Sequence, residues 1–263
     1  MLAHRLEANE TAHDLPRDQS GADSPAPGWT SGHAVLDAHL PQGALSQAAL
    51  HEIEPLRATD MPCLTGFAFA LLSRLFTMAP IVWCVTSRQV GDYGHLYAYG
   101  LQRYGLSPSQ IIFAKVDHPL HLHFALEEAL KSDGVAAVMG EGPLPDFTGS
   151  RRLSLLAKTH NRPCLLLNPQ VGDGKGSAAQ TRWQVQPLPG VTDPLDPFGP
   201  GLPTWSVALA RSRGGRQTSQ PRRIVWNEQT LSFCEASTFS NTAVPENAGQ
   251  SGSYTTALVG RTG

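Results

Sequence analysis

Five short, nearly continuous apolar runs stand along the middle of this chain, and a stretch with helical spacing separates each from the next. The runs are Ala48 to Ile53, Ile81 to Val85, Ile111 to Ala114, Val135 to Met139 and Cys164 to Leu167. Between them, Leu64, Phe67, Leu71, Leu72 and Leu75 recur at helical spacing, as do Leu122, Ala125, Leu126, Ala129 and Leu130. Leu96, Gly100, Leu101 and Tyr104 predict a further helix, and Leu153, Leu156 and Ala157 another. Ala68 and Ala70 make the first helix apolar nearly all round, which predicts burial. Strands without polar alternation are buried on both faces, and their regular interleaving with helices predicts a parallel sheet covered on both sides.

The pattern changes after residue 178. Arg182 to Val185 reads as a strand, and Trp205, Val207 and Leu209 alternate with smaller residues as a half-buried strand does. Ile224 to Trp226 and Leu231 to Phe233 flank Asn227-Glu228-Gln229-Thr230, a hairpin signature. The C-terminal part of the core is therefore expected to be antiparallel and to extend the sheet at one edge. Residues 187–203 hold six prolines in seventeen positions and are expected to form a long irregular loop. Residues 1–28 are polar and without periodicity, and residues 236–263 are rich in Ser, Thr, Asn and Gly. Both read as disordered, an arm and a tail, leaving 29–235 as one core.

Bulk properties narrow the class of function. A net charge of -2 is too balanced for a nucleic-acid coat or an acidic tail, so a basic surface must be local. Cys63, Cys84, Cys164 and Cys234 form no CxxC pair, and two of them sit in apolar runs. That usage fits small buried hydrophobes in a reducing compartment rather than a metal or redox site. The first residues carry no apolar signal-peptide core, and the apolar stretch Leu64 to Leu72 is too short to span a bilayer. The expected location is the cytoplasm, with no membrane contact.

The order of several local marks carries a resemblance. Thr30-Ser31-Gly32 to Leu36-Asp37, then Leu40-Pro41-Gln42-Gly43, then Leu50-His51-Glu52-Ile53 resemble the lead into the first strand of a RecA core. Leu96 to Leu101, Ala125 to Leu130, Ala136 to Glu141, Ser150-Arg151-Arg152-Leu153, Ser177 to Trp183 and Arg211 to Arg216 follow in turn. In that order, over roughly residues 30–235, the chain resembles the ImuA family, RecA- and SulA-like accessory proteins of bacterial inducible-mutagenesis cassettes. The resemblance implies a RecA-like, mostly parallel central sheet with helices on both faces. It implies a role in translesion DNA synthesis after damage, in the SOS response. It also implies association with a Y-family-polymerase-like partner of the ImuB type and, through it, an error-prone C-family polymerase. DNA and RecA are further contacts to test.

A RecA-like ATPase needs a phosphate loop, G-x-x-x-x-G-K-[ST], whose backbone N–H groups and lysine hold the phosphates. After the first strand this chain has Glu54-Pro55-Leu56-Arg57-Ala58-Thr59-Asp60-Met61-Pro62. There is no glycine and no lysine. Glu54 and Asp60 would repel phosphate, and Pro55 and Pro62 each lack an N–H. Arg57 and Thr59 supply a cation and a hydroxyl in the wrong order. The magnesium-supporting acid is expected to be displaced as well, because Gly140 follows Met139 and Glu141 comes one residue later. The chain is therefore expected to be non-catalytic and to need no cofactor and no metal.

Binding candidates lie further on. Lys175, in Gly172-Asp173-Gly174-Lys175-Gly176-Ser177, sits where RecA-like proteins carry a mobile loop facing DNA, but Gly176 follows it where a phosphate loop has Ser or Thr. Arg182 opens the next strand. Arg211, Arg213, Arg216, Arg222 and Arg223 fall within thirteen residues that contain no acid. Such a run reads equally as a phosphate-backbone or acidic-partner contact and as a solvated hairpin guarding an edge strand. His118, His121 and His123 lead into a helix at spacings that do not share a helix face, which argues against zinc. Two rival functions remain: a divergent RecA paralogue that binds or hydrolyses ATP on DNA, and a SulA-like inhibitor of cell division.

Overall fold

The computed structural model describes residues 28–171, 176–192, 198–218 and 220–235. The tail at 236–263 and the arm up to residue 27 lie outside the described residues. Gly28, assigned by sequence to the arm, instead begins a two-residue strand, β1 (Gly28–Trp29), paired with β2 (Leu45–Ser46). Between them a single-turn helix, α1 (Ala34–Asp37), is tied down by Asp37, whose Oδ1 accepts the Ser31 N–H and hydroxyl at 2.9 and 2.8 Å.

The apolar runs form β3 (Leu50–Pro55), β4 (Ile81–Thr86), β5 (Ile111–Val116), β6 (Ala137–Glu141) and β7 (Cys164–Leu167). The helices between them are α2 (Met61–Ser73), α3 (Ser87–Tyr93), α4 (Pro119–Lys131) and α5 (Phe147–His160). Four longer or later strands follow: β8 (Thr181–Val191), β9 (Leu202–Ser212), β10 (Arg222–Asn227) and β11 (Ser232–Glu235). They make one mixed sheet in the order β11-β10-β9-β8-β3-β7-β6-β4-β5. From β8 to β5 every neighbouring pair is parallel, and from β8 to β11 every pair is antiparallel. The fold is α/β with helices on both faces and an antiparallel C-terminal extension, as the sequence pattern predicts.

The two faces have separate cores. Leu50 of β3 points to α4 and α5, where Leu122, Leu126, Leu153 and Ala157 pack. Ile53 points to α2 on the other face. α2 supplies Leu64, Phe67, Leu71 and Leu72, all buried, and its middle lies flat on the sheet. Gly66 lets the Tyr104 side chain pack against α2, because a Cβ there would stand 2.6 Å from the Tyr104 Oη. The same face takes Trp183, Trp205, Trp226 and Phe233 from the antiparallel strands. Phe67 touches three of these rings at centroid distances of 5.4 to 5.9 Å. Each such buried ring contributes about 2–3 kcal/mol by area alone, so α2 rivets the antiparallel extension to the parallel half.

Several boundaries differ from the sequence reading. β3 starts two residues later and β6 runs two residues further, because β4 and β7 offer Val85 and Leu167 as ladder partners for Glu141. The helix expected around Leu96 to Tyr104 is a tighter 3-10 turn, Ala98–Tyr104, and α3 was not signalled. Much of 187–203 is not loop: β8 reaches Val191 and β9 begins at Leu202. Pro187 and Pro189 are tolerated there because β3 stops pairing with β8 at Val185, so their missing N–H groups cost no bond to β3. The Asn227 to Thr230 turn is a hairpin as expected, with Asn227 opposite Ser232. Among the described residues no helix is long and apolar enough to cross a membrane.

Candidate functional site

The segment from β3 into α2 is closed on itself. Leu56 and Arg57 lead into a 3-10 turn, Ala58–Asp60, and α2 starts at once with Met61 and Pro62. Asp60 is buried, and its Oδ2 accepts the Arg57 backbone N–H at 3.2 Å and faces the Arg57 guanidinium at 3.5 Å. Thr59 places its hydroxyl 3.5 Å from the other oxygen of Asp60. A phosphate approaching the start of α2 therefore meets a fixed carboxylate. Pro55 pairs with Val185 as part of the strand. Glu54 is not in the loop at all: it lies on the face away from α2, where Gln184 Nε2 donates to it at 2.9 Å.

Glu54 belongs to a buried charge network at the seam between the two halves of the sheet. Glu52 and Arg182 are cross-strand neighbours in register. Both Nε and Nη2 of Arg182 lie 2.8 Å from Glu52 Oε2, and Arg182 Nε is 4.0 Å from Glu54. The Ser177 hydroxyl donates to the second oxygen of Glu52. The Ser177 carbonyl in turn accepts from Arg211 at 2.9 Å and Arg213 at 2.6 Å. Burial, and then the nearby Arg182 charge, pull the Arg211 pKa down. Ser150 closes the network from α5, its hydroxyl accepting the Ala178 N–H at 3.1 Å.

The seven basic candidates thus separate. Arg182 is a core ion-pair residue only 9% exposed. Arg211 and Arg213 meet at Ser177, and Arg213 and Arg216 are exposed on the turn after β9. Arg222 and Arg223 are exposed on β10 opposite Val207 and Ser206. Val207 and Arg211 are four residues apart along β9, which is about 13 Å, and Arg222 and Arg223 take opposite faces of the sheet with Val207 and Ser206, so the exposed arginines do not form one patch. Lys175 lies outside the described residues. The expected histidine cluster has structural duties. The His118 Nδ1 accepts the Leu120 N–H at 3.1 Å to cap α4, and His123 bonds the Pro143 carbonyl at 3.0 Å. Among the described residues no group of three metal-ligating side chains converges.

Sequence reasoning missed a second site. On the α2 face, at the carboxyl ends of β4 and β6, lies a cavity of about 330 Å³. Aromatic side chains wall it, including Phe69, Trp83, Tyr97 and Tyr104, and Thr65, Gln89 and Glu141 bring polar atoms into it. Glu141 is not displaced beyond its strand, as expected from sequence, but is the last residue of β6 and is buried. The Thr65 hydroxyl donates to its Oε2 at 3.3 Å. Burial pushes the Glu141 carboxyl up to about 7, against the opposing pull of Thr65. The signal available in the sequence was an acid closing an apolar strand, one residue from where it was sought.

No family model matches the chain. Two proteins named Protein ImuA, from Caulobacter vibrioides strains NA1000 / CB15N and ATCC 19089 / CB 15, are each 30% identical to it over 211 residues, covering 75% of this chain and 84% of theirs. The chain belongs to the ImuA family. The marks that carried the resemblance now have places in the fold. Those of ImuA type around Glu52, Ser150, Ser177 to Arg182 and Arg211 to Arg213 converge on the one buried network at the β3–β8 seam. Ala136 to Glu141 builds β6, and Ala125 to Leu130 forms the buried stripe of α4.

Proposed function

We propose that this ImuA-family chain is a non-catalytic accessory protein of damage-induced mutagenesis, acting in translesion DNA synthesis in the cytoplasm. Its core serves as a RecA-like scaffold that engages a Y-family-polymerase-like partner of the ImuB type and, through it, an error-prone C-family polymerase. Counted from β3, the parallel strands stand in the order 3-2-4-5-1-6, with the strand before the phosphate loop in the interior, which supports the RecA-like reading. The observation that carries the non-catalytic reading is the closed loop, where Asp60, just before α2, turns its carboxylate back onto the Arg57 N–H and guanidinium. The exposed Arg213, Arg216, Arg222 and Arg223 are the proposed contacts for an acidic partner surface or for DNA. Affinity purification of the tagged protein from DNA-damaged cells tests the reading. A polymerase-like partner should be recovered, and its recovery should fall in an Arg213→Glu, Arg216→Glu variant. Failure to recover any polymerase would overturn the proposal.

One observation favours a second reading, a divergent RecA paralogue with residual nucleotide binding. Glu141 closes β6 and takes a hydrogen bond from Thr65 of α2, a pairing that could face a bound cation. Titration with labelled ATP separates the two: binding at micromolar concentration supports the second reading, and its absence supports the first.

A further inference from the structure

The cavity beside Glu141 sits at a break in the topology. β4 and β6 are neighbours, with Val85 opposite Glu141. The chain leaves β4 toward β5 on one side and leaves β6 toward β7 on the other. In open α/β sheets, ligands bind at the carboxyl ends of strands where connections diverge in this way. A volume near 330 Å³ lies within the range of small-molecule pockets.

Its polar atoms are short of donors. Glu141 is 4% exposed, and the Thr65 hydroxyl is its hydrogen-bond donor among the described residues. The indole N–H of Trp83 lies beside the same carboxyl but outside hydrogen-bonding geometry. No cation among the described residues compensates the Glu141 charge. Gln89, 5% exposed on α3, has an Oε1 with no donor among the described residues. An amide oxygen buried without a partner is destabilising, and an ionised carboxylate buried without one is more so. Around these acceptors the walls are aromatic. Trp83 is sandwiched edge-on between Phe69 at 5.4 Å and Phe113 at 5.0 Å, and Tyr97 stands at the rim, 72% exposed. Arg103 also reaches the rim, but Glu228 neutralises it at 2.6 Å.

We propose that this cavity binds a guanidinium group, held by the Glu141 carboxylate against the aromatic walls. A guanidinium is planar, carries five N–H donors and stacks on aromatic faces, so it pairs with the carboxylate and lies against the rings at once. An ammonium has no flat face to stack, and an anion meets Glu141. The ionised carboxylate that burial now disfavours becomes the stable form once the cation is in place. The proposal is independent of the polymerase-accessory reading. The guanidinium can belong to a free small molecule or to an arginine of a partner protein, and the same chemistry recognises both.

Calorimetric titration of the full chain tests it with two probes, agmatine for a free ligand and N-acetyl-arginine methylamide for a chain-borne side chain. The neutral N-acetyl-citrulline methylamide, of nearly the same shape, is the control. At least one guanidinium probe should bind, and citrulline should bind at least about tenfold more weakly. Glu141→Gln should weaken the guanidinium probe by about tenfold or more. Tyr97→Ala, at an exposed position that leaves the fold intact, should weaken it severalfold with an unchanged circular dichroism spectrum. Preference for the blocked arginine assigns the site to a protein side chain, and preference for agmatine assigns it to a free ligand. Absence of binding by both probes, equal binding of citrulline, or affinities unchanged in both variants would overturn the proposal.

Discussion

The parallel and antiparallel halves of the sheet solve burial differently. Between β5 and β3 the strands are covered by α4 and α5 on one face and by α2 and α3 on the other; β4 and β7 are almost wholly apolar, while β3 brings in His51, Glu52 and Glu54. Between β8 and β11 one face packs on α2 through tryptophans, while the other carries Gln184, Gln186, Ser206 and Arg223. The line between the two regimes is the β3–β8 pair. There a strand whose residues are all buried meets one whose burial starts to alternate beyond Trp183, and the buried charges Glu52 and Arg182 sit on that line. Burying an ion pair is a weak source of stability, but removing one partner leaves a naked charge. The arginine-rich composition of the second half is therefore partly taken up at the seam and only partly offered to solvent.

Phe67→Ala attacks the aromatic rivet between the halves, and about 3–5 kcal/mol of unfolding free energy should be lost. Denaturation followed by tryptophan fluorescence should show it, with the antiparallel rings Trp183 and Trp205 reporting the loosening. A loss below about 1 kcal/mol would mean that the halves are joined mainly by their hydrogen bonds. Arg182→Met strands Glu52, which is 1% exposed, and should cost about 3 kcal/mol. Adding Glu52→Leu should recover most of that loss, and a simple sum of the two single effects would refute the coupling.

The pH dependence of stability distinguishes two buried groups of the parallel half, His51 at the seam and Glu141 two strands away from it. Glu141 has a folded pKa raised from 4.5 to about 7, so the folded state holds the extra proton and stability falls as pH rises through that window. His51, next to β8 through Thr181, is lowered from 6.5 to about 4 by burial, so stability falls as pH drops through that window. The two slopes oppose each other between pH 4.5 and 6.5. Glu141→Gln should therefore leave a stability that rises with pH from 4 to 6.5. By pH 8 it should exceed the parent by up to roughly 3 kcal/mol. Equal profiles for the two proteins would show that Glu141 is not buried as an acid. The smallest effect belongs to Arg222→Glu with Arg223→Glu, which should move stability by less than about 0.5 kcal/mol while testing the proposed contact surface in the partner-recovery assay.

Much of the parallel half was legible because most of its strands are apolar runs and α2, α4 and α5 carry clean stripes. What escaped was set by neighbours. β6 extends to Glu141 because two flanking strands continue to pair with it. β8 continues through Pro187 because one of its flanks has ended. The closed loop was readable as a loss of glycine and lysine, yet Glu54, grouped with it by sequence, points through the sheet to Gln184. Five arginines in thirteen residues looked like one patch, and pairing with β9 divided them.

The sequence by itself determined the alternation of strands and helices, the antiparallel end and the absence of a phosphate loop, since each depends on local residue type and period. Only the tertiary structure decided which charges are buried and where the cavity lies. A strand residue faces one side or the other according to register, and register is fixed by contacts between segments far apart in the chain. Glu52 meets Arg182 across 130 positions, and Glu141 meets Thr65 across 76. Local propensity carries no information about pairings at that distance, whereas burial, charge and close packing do.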